Sequence, residues 1–413
     1  MRQMRREFLA TLSGAALAAT INSGSSFGQD KKYRACIIGD WKEGQYGHAM
    51  HRAFSRLPQV EVVGLADPHE KARAKFGKES GAARTYADYR EMLSAEKPDL
   101  VSIGPRFSIR HKEYLLAAAE IGAHGYMEKP VAVDLAEADE MVQAVESKNL
   151  KWAVAHQKRM TPLIAHTRKM VFEEGLIGEI LELRARGKED RRAGGEDLLV
   201  LGTHIMDLLL YFLGRPQWVM ADITVDGRPA RKEDVHDASE PLGLVLGDRI
   251  QAVYGYDKGL KAFFSTMKTE DGDGGRWGLD IYGTKGIVTI RIANEPIVFW
   301  LKDSSWAPGG RDAKWEPLPD APPALPTDNE ELIDAMNSFA TSDLLSAIEE
   351  NREPGVSLQK GRDALDMILG VYDSYFKGTV NKFPPPKEPT HSRDCKKSVY
   401  DSQMKPSGRV DNL

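Results

Sequence analysis

The sequence predicts an α/β protein of two domains, an N-terminal doubly wound parallel sheet and a C-terminal α+β domain with an open, mostly antiparallel sheet. Three observations predict this architecture. From Tyr33 to about Ala155, short apolar runs alternate with helical segments, which is typical of a parallel sheet covered on both faces. From Val219 to Leu301, seven strand-like runs follow one another with short turns between them. The length of 413 residues also suits two domains better than one.

The first domain opens with the order strand, glycine turn, helix, strand, acid. An apolar run ends at Gly39, and Gly44 and Gly47 follow it. After a stretch of helical character (residues 49–57), a second apolar run ends on Asp67. This is the order of a dinucleotide-binding unit. Glycines let backbone amides approach a pyrophosphate, a helix N-terminus faces it, and the acid hydrogen-bonds a ribose hydroxyl.

The other elements follow from periodicity and turn residues. Predicted helices span residues 86–95, 111–121, 135–147, 162–174, 198–213, 330–350 and 358–376. Predicted strands span residues 34–39, 60–66, 100–103, 125–127, 152–155, 180–186, 219–225, 241–246, 250–256, 261–267, 277–282, 287–292 and 297–301. A proline-rich linker is predicted at residues 317–326, before the closing helices.

These elements divide the chain into four segments. Residues 1–30 are predicted to be a signal segment, 33–155 the first domain, 156–383 the second domain, and 384–413 a polar tail. Arg5 and Arg6 precede Phe8, Leu9 and a modest apolar stretch, a pattern that resembles the twin-arginine export signal. The sequence therefore predicts a periplasmic or extracellular protein.

Composition excludes several classes of partner. The net charge of −5 gives no reason to expect nucleic acid or an anionic membrane surface. No segment after the leader is long and apolar enough to span a bilayer. The two cysteines, Cys36 and Cys395, cannot make a disulfide framework, and Cys36 is expected to be a small buried hydrophobe. No spacing of histidines, cysteines or carboxylates indicates a metal site.

A second motif places acid–base chemistry beside the predicted dinucleotide. Glu128, Lys129 and Pro130 follow an apolar stretch in the second half of the first domain. Because parallel strands end at one edge of their sheet, Lys129 is expected at the edge that binds the dinucleotide. A lysine there can handle the proton of a hydroxyl while its carbon gives up a hydride.

Together these residues resemble the Gfo/Idh/MocA family, the dehydrogenases related to glucose–fructose oxidoreductase and inositol dehydrogenase. The carriers of the resemblance are the glycine turn, Ala66-Asp67-Pro68, His111, Glu128-Lys129-Pro130, Gly175-Leu176-Ile177-Gly178-Glu179-Ile180, Gly202-Thr203-His204-Ile205-Met206-Asp207 and Tyr282-Gly283-Thr284-Lys285-Gly286. The resemblance implies a Rossmann domain, a second domain whose open sheet supports dimers or tetramers, and a nicotinamide cofactor. It implies cofactor contacts from Gly39, Gly44, Gly47, Asp67, His111, Glu128, Lys129 and Pro130. Sugars, cyclitols or their derivatives are the implied substrates.

The chain departs from the family pattern in two places. Four residues separate Gly39 from Gly44 where the family has one, which lengthens the phosphate loop by three residues. The family also places an aspartate four residues before the catalytic histidine, and here that position is Val200. Asp197 lies one helical turn before Val200 and Asp207 lies three residues after His204, so either could partner His204, with Glu196 a third candidate.

The resemblance makes Lys129 and His204 the catalytic pair, with Asp197 or Asp207 in support. Either Lys129 is the base, or it stays charged and hydrogen-bonds the oxygen while His204 takes the proton, and we favour the second. His156 and Arg159 open the second domain at the cleft and are expected to contact substrate. Basic residues crowd residues 184–192, among them Arg186, and are either a substrate-binding lid or a solvated run of charge.

The function predicted from the sequence is an exported NAD(P)-dependent oxidoreductase of sugars or cyclitols. Asp67 favours NAD over NADP because a carboxylate repels a 2′-phosphate, although Lys71 and Arg73 lie nearby. Free dinucleotide is scarce outside the cytoplasm, so such an enzyme is expected to retain its cofactor. Two alternatives remain open: a redox-neutral glycosidase or lyase that acts through a transient keto sugar, and a catalytically silent carbohydrate-binding module. A homo-oligomer is expected.

Overall fold

A six-stranded parallel sheet forms the first half of the molecule. The computed structural model describes residues 32–269, 274–309 and 312–384. The sheet has the order β3-β2-β1-β4-β5-β6, and every neighbouring pair is parallel. Its strands are β1 (Tyr33–Ile38), β2 (Val60–Ala66), β3 (Arg84–Tyr86), β4 (Leu100–Ile103), β5 (His124–Met127) and β6 (Trp152–Val154). The helices are α1 (Glu70–Ser80), α2 (Tyr89–Glu96), α3 (His111–Glu120) and α4 (Leu135–Ser147).

A large mixed sheet forms the second half. Its order is β17-β16-β15-β14-β7-β13-β12-β8-β18, with β9 beside β8, and only the β7–β13 pair is parallel. The strands are β7 (Ile180–Arg186), β8 (Trp218–Val225), β9 (Arg228–Pro229), β12 (Arg249–Gly255), β13 (Lys261–Met267), β14 (Gly278–Gly283), β15 (Gly286–Arg291), β16 (Ile297–Leu301), β17 (Trp315–Pro317) and β18 (Asn381–Lys382), while β10 (His236–Asp237) and β11 (Leu244–Val245) pair separately. This arrangement confirms the predicted fold class.

Five helices join and cover the two sheets. They are α5 (Pro162–Arg168), which continues as a π-turn over Lys169–Glu173, α6 (Gly195–Val200), α7 (Gly202–Leu213), α8 (Asn329–Glu349) and α9 (Leu358–Lys377). Helices α7 and α9 cover one face of the large sheet and share its core, in which Leu209, Tyr254, Phe264 and Ile368 are at most 1% exposed. The other face stays open and exposes Met220 and Phe299.

Helix α8 returns to the first sheet from the far end of the sequence. The Arg52 guanidinium donates to the Asp334 carboxylate at 3.1 Å. The Asn337 side-chain amide donates to the carbonyl of His48 at 2.7 Å, and the Thr341 hydroxyl donates to the carbonyl of Ala53 at 3.2 Å. The second half of the chain therefore fixes the segment that follows the glycine turn.

That segment is where the structure corrects the sequence. A helix was expected over residues 49–57, but Gly47–Arg52 forms only a short 3₁₀ turn in which His48 and Ala49 have positive φ angles of 41° and 51°. Left-handed backbone is unfavourable for residues with a Cβ, so tertiary contacts must hold it. The bonds from α8 supply them.

Two smaller corrections have clear causes. Helix α1 was not predicted because its sequence is mostly charged, with only Ala72, Phe76 and Gly77 buried. The helix expected over residues 198–213 is interrupted at Leu201, between α6 and α7. The predicted signal segment and most of the polar tail lie outside the described residues. Among the residues that are described, no helix combines the length and apolarity that a membrane crossing requires.

We expect Phe264→Ala to lower the free energy of unfolding by about 3–5 kcal/mol, because the ring is 1% exposed and lies 3.6 Å from the position that a Cβ on Gly202 would take. Phe264→Leu keeps most of the volume and is expected to lose less than half as much. Urea denaturation followed by circular dichroism measures both. Equal losses in the two variants would contradict this account of the core.

Candidate active site

The predicted site residues meet where the parallel sheet faces the second half of the chain. Glu128 and Lys129 follow β5, and His156 follows β6, so both strands end at the same edge of the sheet. His204 lies in the first turn of α7, which rests on the large sheet. All four side chains are at most 3% exposed. The fold thus buries two histidines, a lysine and a glutamate in one place.

Glu128 is the acid of this site. One carboxylate oxygen lies 2.6 Å from Nδ1 of His48, and the other accepts the backbone N–H of Lys129 at 2.8 Å. Burial works to raise the pKa of Glu128, but the neighbouring His48 and Lys129 outweigh it and hold the pKa below its usual value. Glu128 is therefore ionised and orients both neighbours.

Lys129 reaches across to the second half of the chain. Its ammonium donates to the carbonyl of Val200 at 2.9 Å, at the end of α6. Burial lowers its pKa from 10.5, and Glu128 opposes the shift. Val200 stands where the family has an aspartate, and it contributes its backbone carbonyl to the site.

His204 lies at the centre of a group of rings. The rings of His48, His156 and Trp277 lie edge-on to it, with centroids 5.5, 5.5 and 5.6 Å away. Neither ring nitrogen of His204 has a hydrogen-bond partner among the described residues. Burial and then the charge of Lys129 lower its pKa well below 6.5, so the imidazole is neutral at neutral pH.

Neither proposed aspartate is bonded to His204, which corrects the sequence-based expectation. Asp207 accepts from the Arg159 guanidinium at 2.7 Å and lies 3.6 Å from Nδ1 of His156. Nε2 of His156 is 2.9 Å from the Thr203 hydroxyl. Asp207 therefore holds Arg159, whose other contacts are the carbonyl of Gly355 and the ring of Tyr211, while Nδ1 of His156 has no hydrogen-bond partner among the described residues.

Asp197 supports the backbone instead. Its carboxylate accepts the Thr266 hydroxyl at 2.6 Å and the backbone N–H groups of Lys188 and Glu189 at 3.2 and 3.1 Å. Burial raises its pKa to about 6. Glu196, the third candidate, lies on the surface and accepts hydrogen bonds from the backbone N–H and the hydroxyl of Ser239. The helical spacing that suggested Asp197 and Glu196 does not apply, because they lie on α6 and His204 lies on the separate helix α7.

Three residues of the site were missed from the sequence: His48, Lys158 and Trp277. The Lys158 ammonium is 6% exposed, donates to the carbonyl of Asn294 at 2.6 Å and lies 5.3 Å from the centre of the Trp277 ring. Burial, Lys188 and Lys129 lower its pKa to about 7. We call His48, Lys129, His156, Lys158 and His204 the basic cluster. Of the three missed residues, only Lys158 had a signal in the sequence, its position two residues after the predicted site residue His156.

Two other predicted contacts are corrected. Both ring nitrogens of His111 face backbone carbonyls, those of Pro130 at 2.9 Å and Pro105 at 2.8 Å, so His111 braces the loop and does not reach a cofactor. The Lys129–Pro130 peptide bond is cis. Arg186 lies on the open face of the large sheet, paired with Glu189 and Ser265, and takes no part in the basic cluster.

The basic loop after β7 is neither a free lid nor a solvated run of charge. Asp190 pairs with Arg192 at 2.7 Å and with Lys188 at 3.4 Å, and Glu189, 1% exposed, pairs with Arg276 at 2.9 Å. Of the loop's charges, Arg191 is exposed. Internal ion pairs thus hold the loop over the site.

The glycine turn has the residues for a dinucleotide, but its own tyrosine lies among them. The Tyr46 hydroxyl donates to Asp67 at 3.1 Å and stands 1.9 Å from where a Cβ on Gly39 would be. Asp67 also accepts the backbone N–H of His69 at 2.8 Å and is fully buried. A small cleft of about 90 Å³ remains beside Gly39 and Pro68.

The donor set fits a dinucleotide once Tyr46 turns away. Gly39 then presents its backbone to a phosphate, and Asp67 presents an oxygen to a ribose hydroxyl. Asp40, an acid within the lengthened loop, also lines this cleft, where Arg110 and Tyr114 donate hydrogen bonds to its carboxylate at 2.9 and 3.2 Å. Gly44 and Gly47 allow close packing against Arg106 and Glu128, respectively.

Comparison with protein families matches two consecutive regions. Residues 34–156 match the oxidoreductase family with an NAD-binding Rossmann fold, and residues 165–289 match the GFO/IDH/MocA C-terminal domain. Levoglucosan dehydrogenase of Pseudarthrobacter phenanthrenivorans is 27% identical over 57% of this chain and 65% of its own length. Myo-inositol 2-dehydrogenase of Thermotoga maritima is 25% identical over 54% of this chain and 71% of its own length. The first match thus spans just under two thirds of that relative.

Solved structures show the same fold over more of the chain. A levoglucosan dehydrogenase in complex with NADH superposes with a TM-score of 0.68 at 21% identity, over 86% of this chain and 100% of that one. An NAD-binding oxidoreductase from Klebsiella pneumoniae superposes with a TM-score of 0.66 at 20% identity, over 85% and 99%.

We expect Tyr46→Phe to bind NAD about two- to tenfold more tightly than the unchanged protein. The variant lacks the hydrogen bond to Asp67 that must break before a ribose can replace it. Isothermal titration calorimetry measures the affinity, with Tyr114→Phe as a control that loses a hydrogen bond to Asp40 instead. Weaker binding by Tyr46→Phe would show that the hydroxyl helps to hold the dinucleotide.

Proposed function

This chain belongs to the Gfo/Idh/MocA family of oxidoreductases, and on that basis we propose that it is an exported, NAD-dependent dehydrogenase of a sugar, a cyclitol or a derivative. The observation that carries the proposal is the state of His204. It is a 2% exposed imidazole whose two nitrogens have no hydrogen-bond partner in the described part of the chain, in a cluster that contains Lys129 at the edge of a Rossmann sheet. A buried polar group without a partner is costly, so such an imidazole is suited to receive a substrate hydroxyl.

The protein groups divide the work of oxidising a carbinol. Neutral His204 takes the hydroxyl proton, and the Lys129 ammonium hydrogen-bonds the same oxygen as negative charge develops on it. A bound nicotinamide would supply the acceptor for the hydride. The charge of Glu128 stabilises the charged form of Lys129, and the ring of His156 lies edge-on beside His204.

The dinucleotide would be held by the glycine turn and by Asp67. We propose NAD over NADP because the carboxylate of Asp67 faces the ribose position. Arg73 could have favoured a 2′-phosphate, but its guanidinium is engaged by the carbonyls of Asp67 and Pro68 at 2.7 and 3.4 Å. Retention of the cofactor goes with the proposed export.

The open face of the large sheet supports the proposal of a homo-oligomer. Met220, Ile297 and Phe299 are 54%, 44% and 38% exposed on it. Exposed apolar side chains on one sheet face are typical of a surface that another subunit covers.

The test of the proposed reaction is a pH profile. His204 acts as base only when neutral, and its pKa lies well below 6.5. We therefore expect kcat/KM for oxidation to hold its plateau as the pH falls past 6.5 and to decline only in more acidic solution. His204→Asn is expected to lower kcat about 10²- to 10⁴-fold and to remove this acidic limb.

The assay follows NADH formation with glucose, myo-inositol and levoglucosan as trial substrates. An acidic limb centred at or above pH 6.5 would contradict the role of His204. If the purified protein releases NAD on denaturation but neither these compounds nor the corresponding uronic acids cause net reduction, the redox-neutral alternative takes precedence. If no dinucleotide is released or bound, the carbohydrate-binding module remains.

Export is tested through the arginine pair of the leader. We expect the double variant Arg5→Lys, Arg6→Lys to accumulate in the cytoplasm of a bacterial host that has the twin-arginine pathway, because that pathway reads the pair. Cell fractionation and immunoblotting locate the protein, and Arg2→Lys is the matched control. Equal export of the double variant and the unchanged protein would rule out this route.

A further inference from the structure

Lys158 is a lysine of the basic cluster whose ammonium has no carboxylate partner among the described residues. Glu128 pairs with His48 and Lys129, and Asp207 pairs with Arg159. No carboxylate among the described residues lies within ion-pair distance of the Lys158 ammonium, whose hydrogen-bond acceptor is the neutral carbonyl of Asn294.

The surroundings of Lys158 strengthen this imbalance. The Lys188 ammonium lies 5.8 Å from the centre of the same Trp277 ring and is shared with Asp190 at 3.4 Å. Asp190 also binds Arg192, so one carboxylate serves two cations. Burying an ammonium without a counter-charge is unfavourable by several kcal/mol, and an anion brought beside it offsets that cost.

Polar atoms that could bind such an anion are present and unpartnered. The indole N–H of Trp277 is buried and has no acceptor among the described residues. His204 is in edge contact with Trp277, and neither of its ring nitrogens has a hydrogen-bond partner within residues 32–269, 274–309 and 312–384. A ligand that spans from His204 to Trp277 would therefore have a proton acceptor at its first end. Its other end would lie beside the ammonium groups of Lys158 and Lys188.

We propose that the substrate of this site is a sugar acid, whose hydroxyl lies at His204 and whose carboxylate lies beside Trp277 against Lys158 and Lys188. This assignment rests on the proposed dehydrogenase function and narrows its substrate class. A neutral sugar offers the Lys158 ammonium no counter-charge, whereas a carboxylate stabilises its charged form through charge-assisted hydrogen bonds.

The test compares compounds that differ only in charge. Glucose, galactose and mannose are paired with their uronic acids and with their 6-phosphates, and affinity is measured by calorimetry at saturating NAD. We expect at least one uronate to bind about ten- to a hundredfold more tightly than its parent sugar. We expect Lys158→Met to remove that preference and Lys158→Arg to retain it.

Lys261→Met is the matched control. The Lys261 ammonium also lies 5.3 Å from an indole centre, that of Trp218, and also donates to a backbone carbonyl, that of Gly259 at 2.9 Å. It lies outside the basic cluster, so its loss is expected to leave uronate affinity unchanged. A general effect of removing a lysine from an aromatic ring would appear in both variants.

The outcomes separate the two proposals. Neutral sugars that bind as tightly as their uronates, or phosphates that bind when no uronate does, overturn the sugar-acid assignment. An unchanged uronate preference in Lys158→Met overturns it as well. If uronates bind but do not reduce NAD, the sugar-acid site is supported and the proposed dehydrogenase function is refuted. If only neutral sugars are oxidised, the dehydrogenase function is supported and the sugar-acid site is refuted.

Discussion

The buried carboxylate of Glu128 is the constraint on which the rest of the site depends. It has two strong partners, the ring of His48, which follows the glycine turn, and the backbone N–H of Lys129, the next residue in the chain. Gly47 packs so closely on it that a Cβ there would meet the carboxylate at 2.2 Å. One ionised group thereby fixes the loop that follows the glycine turn and aims the lysine that reaches the second half of the chain.

The electrostatics of the site follow from that pairing. Glu128 is bound to His48 and Lys129, and no carboxylate among the described residues is bonded to His204. Burial and the neighbouring bases lower the pKa of His204 and keep its imidazole neutral. Val200 replaces the aspartate that the family places before the histidine. Asp207 accepts a hydrogen bond from Arg159 at 2.7 Å and lies 3.6 Å from Nδ1 of His156. The groups around His204 that can exchange protons are therefore nitrogen bases, whereas the carboxylates of Glu128 and Asp207 bond to the neighbours of His204.

The sequence predicted the sheets and the central pair of residues, but not the geometry between them. Apolar runs located 13 of the 18 strands that the described residues form, and the five that were missed, β3, β9, β10, β17 and β18, are only two or three residues long. Lys129 and His204 came from motifs with fixed places in the fold. Asp197 and Asp207 were misjudged because spacing along one helix cannot show that a break at Leu201 redirects one of them. His48 and Trp277 were missed since no local pattern marks a ring that matters only after long-range packing.

The contacts of α8 with the loop after the glycine turn have a consequence for how the molecule is made. Asn337 and Thr341 hold carbonyls of residues that lie 289 and 288 positions earlier in the chain. The left-handed backbone at His48 lacks this support until α8 has been synthesised. The first domain can therefore assemble its sheet during translation, while the loop beside the dinucleotide groove acquires its final shape only near the end of synthesis. A shortened chain that ends before Asn329 would lack these contacts and lose the form of that loop.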